Sequence, residues 1–151
     1  MIPLRLAPSA DSASRGPLSV SSMASAKKRA AKPVVSTISA STPTGGATGV
    51  ATGTSVVVTF NEPMTAGSIS SASIELRQSA SGALVGSNVT YSAATQSATL
   101  SPTVALTPGT AYTVTVRGGA GAPQVRDSAG NALAATTTWS FTTVAADTTP
   151  P

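Results

Sequence analysis

The sequence predicts an all-β fold: a sandwich of seven to eight short antiparallel strands with Greek-key connections. Three observations predict it. Of the 151 residues, 40% are hydrophobic, while only 9% are charged and 3% aromatic. Ser and Thr supply much of the remainder, and β-branched residues fit a pleated surface better than a helix face. Thirteen Gly and eleven Pro provide many turns, as an all-β chain requires. Finally, apolar and polar residues alternate in short runs. One dry face per strand means that two sheets must bury those faces together.

Residues 1–32 stand apart. They show no sustained period of 2 or 3.6 and are rich in Ser, Ala and Pro, so they read as a disordered basic leader. Arg5, Arg15, Lys27, Lys28, Arg29 and Lys32 oppose Asp11 alone, a net charge of +5. Residues 33–151 carry Arg77, Arg117 and Arg126 against Glu62, Glu75, Asp127 and Asp147, a net −1. The net basicity thus lies outside the folding region, which argues against a nucleic-acid-binding surface. "KKRAAK" reads as a solvated basic linker rather than a nuclear or nucleic-acid patch. "PLSVSSMASA" is too polar for a secretory h-region, although Ala24-Ser25-Ala26 has the form of a cleavage site. No apolar run reaches the roughly 18 residues of a membrane span.

From Pro33 onward strands follow in order. "VVSTI" (34–38) is the first, and a Gly/Thr loop occupies residues 42–54. "SVVVTF" (55–60) sets Val56, Val58 and Phe60 on one face. Pro63 ends that strand because it cannot donate to a ladder. "TAGSISSAS" (65–73) offers Thr65 or Ser68 as the cap of a single helical turn. "SIELRQ" (73–78) turns Ile74 and Leu76 inward and Glu75 and Arg77 outward. "NVTYS" (88–92) pairs Val89 with Tyr91, and "SATLS" (97–101) centres on Leu100. "AYTVTVRG" (111–118) turns Tyr112, Val114 and Val116 inward, and "TTTWSFTT" (136–143) does the same with Trp139 and Phe141. Residues 145–151, "AADTTPP", form a Thr/Pro linker.

"LTPGTAYTVTV" (106–116) is the most specific stretch. Pro108 presets φ and Gly109 permits φ > 0, which specifies a tight turn. A Tyr opening the following strand makes a tyrosine corner, in which the Tyr112 phenol bonds backbone a few residues upstream. With "GATGV" (46–50), "VVVTFNEPM" (56–64), "DSAGNAL" (127–133) and "WSFTT" (139–143), it forms five motifs in register. Residues 33–144 thereby resemble the bacterial immunoglobulin-like domain of the S-layer (SbsA) type, with a fibronectin type III-like architecture. Two departures stand out: "TISASTP" (37–43) is long before the glycine loop, and "RGGAGAPQV" (117–125) is glycine-rich.

The resemblance implies a spacer, adhesive or accessory module in a secreted or cell-surface bacterial protein. Its partners would be neighbouring domains and cell-wall or extracellular polysaccharide. The alternative it implies is a carbohydrate-binding module beside an extracellular enzyme. Sugar stacking would need aromatic rings turned outward, and Trp139, Tyr91, Tyr112, Phe60 and Phe141 all fall on inward phases.

The residues offer little for chemistry. With no His and no Cys, the commonest general base, metal ligand and thiolate are missing. Residues 33–151 also lack Lys, so neither a Ser-His-Asp nor a Ser-Lys arrangement can be built there. Glu62 reads as a strand-end residue rather than a catalytic acid, and no cofactor is expected. The one metal candidate is calcium at Asp127 and Asn131, completed by Glu62. A plain Asx-turn competes with it.

Overall fold

The computed structural model describes residues 35–151. The disordered-leader reading of residues 1–32, the "KKRAAK" cluster and the expected strand start at Val34 lie outside the described residues.

Seven strands form: β1 (Ile38–Thr42), β2 (Val56–Phe60), β3 (Ile74–Gln78), β4 (Ser87–Ser92), β5 (Ser97–Pro102), β6 (Ala111–Val116) and β7 (Thr137–Thr142). One sheet has the order β1-β2-β5-β4 and the other β3-β6-β7, and every named pair is antiparallel. Lettered A to G along the chain, this is ABED over CFG, the strand order of the constant-type immunoglobulin sandwich.

The inner faces follow the alternation read in the sequence. Val56, Val58 and Phe60 of β2 are buried, with Thr59 and Val57 between them less so. They meet Leu76, Tyr112, Val114, Val116 and Phe141 of the second sheet in one core. Tyr112 and Phe141, cross-strand partners, stack with ring centroids 6.0 Å apart. Each fully buried large side chain of this kind stabilises the fold by about 1.5–3 kcal/mol relative to exposure.

The first strand differs from expectation. β1 begins at Ile38, because residues 35–37 spend their backbone groups elsewhere. Asn61 Nδ2 donates to the Val35 carbonyl, Thr37 N–H donates to Asn61 Oδ1, and Ala134 N–H donates to the Ser36 carbonyl. The apparently overlong "TISASTP" is therefore the strand itself. Beyond Pro43 the chain crosses to the other sheet, where residues 46–50 run parallel to β7. Gly46 N–H donates to Ser140 O, Thr142 N–H to Ala47 O, Val50 N–H to Thr142 O and Val144 N–H to Val50 O, at 2.8–3.1 Å. Gly46 opens this segment at φ +81, a conformation that L residues adopt only under strain.

Two further differences appear. The single turn is a 3-10 turn, Ala66–Ser68, but Thr65 makes no side-chain cap and instead donates its hydroxyl to the Asp127 carbonyl. Glu75 lies on the outer face as expected, yet it is buried there, 9% exposed, because Arg77 and Arg117 fold over it.

Candidate functional site

The strand directions define two poles. The start of β1, the 61–73 connection and the 117–136 connection lie at the N-terminal pole, since Ile38 pairs with Phe60 and Ile74 with Val116. The end of β7 lies at the other, with the Pro108–Gly109 turn. There Gly109, at φ +61, donates its N–H to the Val144 carbonyl. The Tyr112 hydroxyl accepts a 2.9 Å bond from Thr107 N–H, five residues upstream.

The N-terminal pole gathers Glu62, Asp127 and Asn131. Asp127 is 2% exposed. Its Oδ1 accepts from the N–H groups of Ala129 and Asn131, and its Oδ2 from Asn131 Nδ2 at 2.9 Å. Ser36 joins the two acids: its hydroxyl lies 2.8 Å from Glu62 Oε1 and 3.3 Å from Asp127 Oδ2. Burial alone would raise the Asp127 pKa. The bonds from the Asn131 side chain and backbone, from Ala129 and from Ser36 outweigh it and hold the carboxyl below its usual range. Asp127 is thus the hub of a hydrogen-bonded turn, continued where Met64 bridges to it and Ser128 N–H donates to Pro63 O.

This donor set does not fit calcium. Every Asp127 oxygen is occupied by an N–H or O–H, and Asn131 presents its amide nitrogen rather than its oxygen. Six to eight free oxygens are what the ion needs. Among the described residues, no three Asp, Glu, His or Cys side chains converge.

Other candidate residues are dispersed. Phe60 and Phe141 are core. Tyr91 is half-buried, and its hydroxyl accepts from Met64 N–H at 2.8 Å. Trp139 keeps the inward phase, opposite Val114, but sits on the outer strand of its sheet and remains half-buried. Its Nε1–H donates to the Pro43 carbonyl at 3.0 Å. It lines an open groove of about 400 Å³ between the β1 edge and residues 133–139, with Thr37, Ile38, Ser41, Ala135 and Thr137. The inward phase alone did not reveal this, because burial also depends on how far a strand lies from the sandwich edge.

Sequence reasoning missed three residues. Ser36 and Asn61 tie the incoming chain to the loops, and Gly118 packs against the backbone of residues 133–135, where a Cβ would lie 2.5 Å from the Ala135 carbonyl oxygen. Only the glycine run around Gly118 was a visible signal. Glu75, between Arg77 Nε at 2.9 Å and Arg117 Nη2 at 2.6 Å, is also an ion-paired surface cluster rather than a reactive one. Burial would raise its pKa, and the two guanidinium groups more than reverse that.

A seven-stranded ABED/CFG sandwich whose acids are engaged in turn and ion-pair bonding defines an immunoglobulin-like module. Residues 31–143 match the family model described as bacterial Ig-like domain, and the chain belongs to that family. No curated protein matches it. Among solved structures it is similar to the N-terminal part of the bacterial S-layer protein SbsC, at 20% identity over 74% of this chain, with a TM-score of 0.55. The chain spans only 24% of that SbsC chain. It is also similar to CopC from Methylosinus trichosporium OB3b, at 20% identity, 76% of this chain and 99% of CopC, with a TM-score of 0.60. PcoC, a methionine-rich copper resistance protein from Escherichia coli, matches at 19% identity over 73% of this chain and 99% of its own, with a TM-score of 0.57. At such identities these likenesses describe the fold.

Proposed function

We propose that residues 33–144 are a non-catalytic spacer or adhesion module of a secreted or cell-surface bacterial protein. Residues 145–151 then serve as a Thr/Pro linker, and the partners are neighbouring domains of the same protein. The observation that carries this reading is the parallel pairing of residues 46–50 with β7 in a domain whose chain enters and leaves at opposite poles. Tension between the poles draws these two segments in opposite directions along one axis. Their four hydrogen bonds are then loaded together rather than one at a time. Family membership and the similarity to an S-layer protein support the same reading.

Copper resistance, the role named for PcoC, gains no support from residues 35–151, which hold no His or Cys and a single Met, Met64, buried in the core.

Two copies joined in series through residues 145–151 test the proposal. Small-angle scattering should give a maximum dimension nearly twice that of one copy. A pair folded side by side, with little increase in length, would contradict a spacer.

A further inference from the structure

The groove beside β1 has a composition that the spacer role does not require. Its side chains are apolar or hydroxylic, and none is charged. Trp139 forms one wall. An aliphatic residue would complete the inward phase of β7 at this position, whereas an indole reaches past the core into the groove. The ring is held in place, because its N–H is committed to the Pro43 carbonyl; Gly45 leaves it room, since a Cβ there would come within 3.4 Å of the Trp139 Cβ. A fixed aromatic wall costs little ordering on binding. The hydroxyl-bearing residues Thr37, Ser41 and Thr137 line the groove, and no hydrogen bond between described residues engages their hydroxyls.

We infer that this groove binds a neutral pyranose unit of a glycan, stacked on Trp139. A pyranose ring presents an apolar C–H face and a rim of hydroxyls. The indole meets the first, and the hydroxyls of Thr37, Ser41 and Thr137 along the groove meet the second. The uncharged lining favours neutral sugars over uronic acids, phosphates or charged peptides. A volume of about 400 Å³ lies within the range of small-molecule sites and holds one or two sugar rings. The groove adjoins the pairing of residues 46–50 with β7, and a spacer with such a groove would also contact a polysaccharide.

The chain contains a single Trp, so its fluorescence reports on this groove alone. The full chain is titrated with cellotetraose, xylotetraose and chitotetraose. At least one should change the emission saturably. Thr137→Arg, at an exposed strand start, should weaken that binding about tenfold or more while leaving the melting temperature nearly unchanged. Trp139→Ala, read by calorimetry, should abolish it. Because Trp139→Ala risks loosening the sandwich edge, Thr137→Arg decides the location. The inference fails if no tetrasaccharide alters the emission. It fails equally if Thr137→Arg binds as tightly as the parent chain. It fails too if an uncharged Ser-Thr-Ala octapeptide changes the emission where the sugars do not, which would make the groove a strand-docking edge.

Discussion

Asp127 organises its pole by acceptance alone: four donors converge on one buried carboxylate. Asp127→Ala removes the acceptor and leaves buried donors unpaired, so it should cost about 3 kcal/mol in denaturant unfolding. Its folded pKa is depressed, which fixes the sign of the pH dependence. The contribution is fully present above the unfolded value of about 3.9 and is lost as pH falls through the lower folded value. Glu75, depressed by Arg117 and Arg77 despite its burial, titrates in the same sense. Stability should therefore be flat near neutrality and fall below about pH 4, and Asp127→Asn should shallow that fall. A melting temperature independent of pH down to about pH 2 would contradict this assignment. Tyr112→Phe tests the other pole. Losing the bond to Thr107 N–H should lower stability by about 1–2 kcal/mol while the Tyr112–Phe141 packing survives. The Asx-turn at "DSAGN" and the tyrosine at 112 were legible because their partners lie within five residues. Ser36 was not, since its acceptors lie 26 and 91 positions away.

At the scale of elements, alternation revealed the strands that have one dry face. β2, β3, β5 and β6 were read to within a residue or so because Val, Ile, Leu and Tyr mark their inner faces. β1, "ISAST", was not: an exposed edge strand of small polar residues has no hydrophobic period to read. The parallel segment 46–50 looked like loop because glycine conceals a pairing made by backbone alone. Its requirement is testable. Gly46→Ala should destabilise by about 1–2 kcal/mol, although nothing stands within 4 Å of the new methyl, since the cost is purely the φ of +81. Gly118→Ala makes the opposite case. The obstacle there is the Ala135 carbonyl oxygen at 2.5 Å and Leu133 O at 2.7 Å. The 117–136 connection must then move, and chemical denaturation should show a loss of about 3 kcal/mol or more. The glycine-rich departure from the family pattern is thus a close approach of two backbone segments.

For the whole molecule, the described residues combine a closed inner core, acids bonded within turns and ion pairs, and termini at opposite poles. Val35 at one pole and Val104 and Val144 at the other are exposed, which suits contact with neighbouring domains. The two-sheet fold class, the inward-facing core residues and the absence of His and Cys were open to sequence reading; the strand order of each sheet came from the structure. The half-open position of Trp139 was not, because it depends on where β1 leaves its sheet. Val50→Pro probes the mechanical role, since it removes the N–H donated to Thr142 O and should lower the force needed to unfold the domain. The most direct measurement is single-molecule pulling of several copies in series, stretched from the N-terminal to the C-terminal end. Opening residues 35–144 should release roughly 340 Å per event, about 3.5 Å per residue less the folded length. The account predicts uniform peaks of that spacing, weakened by Val50→Pro. Featureless extension, or peaks that Val50→Pro leaves unchanged, would contradict it.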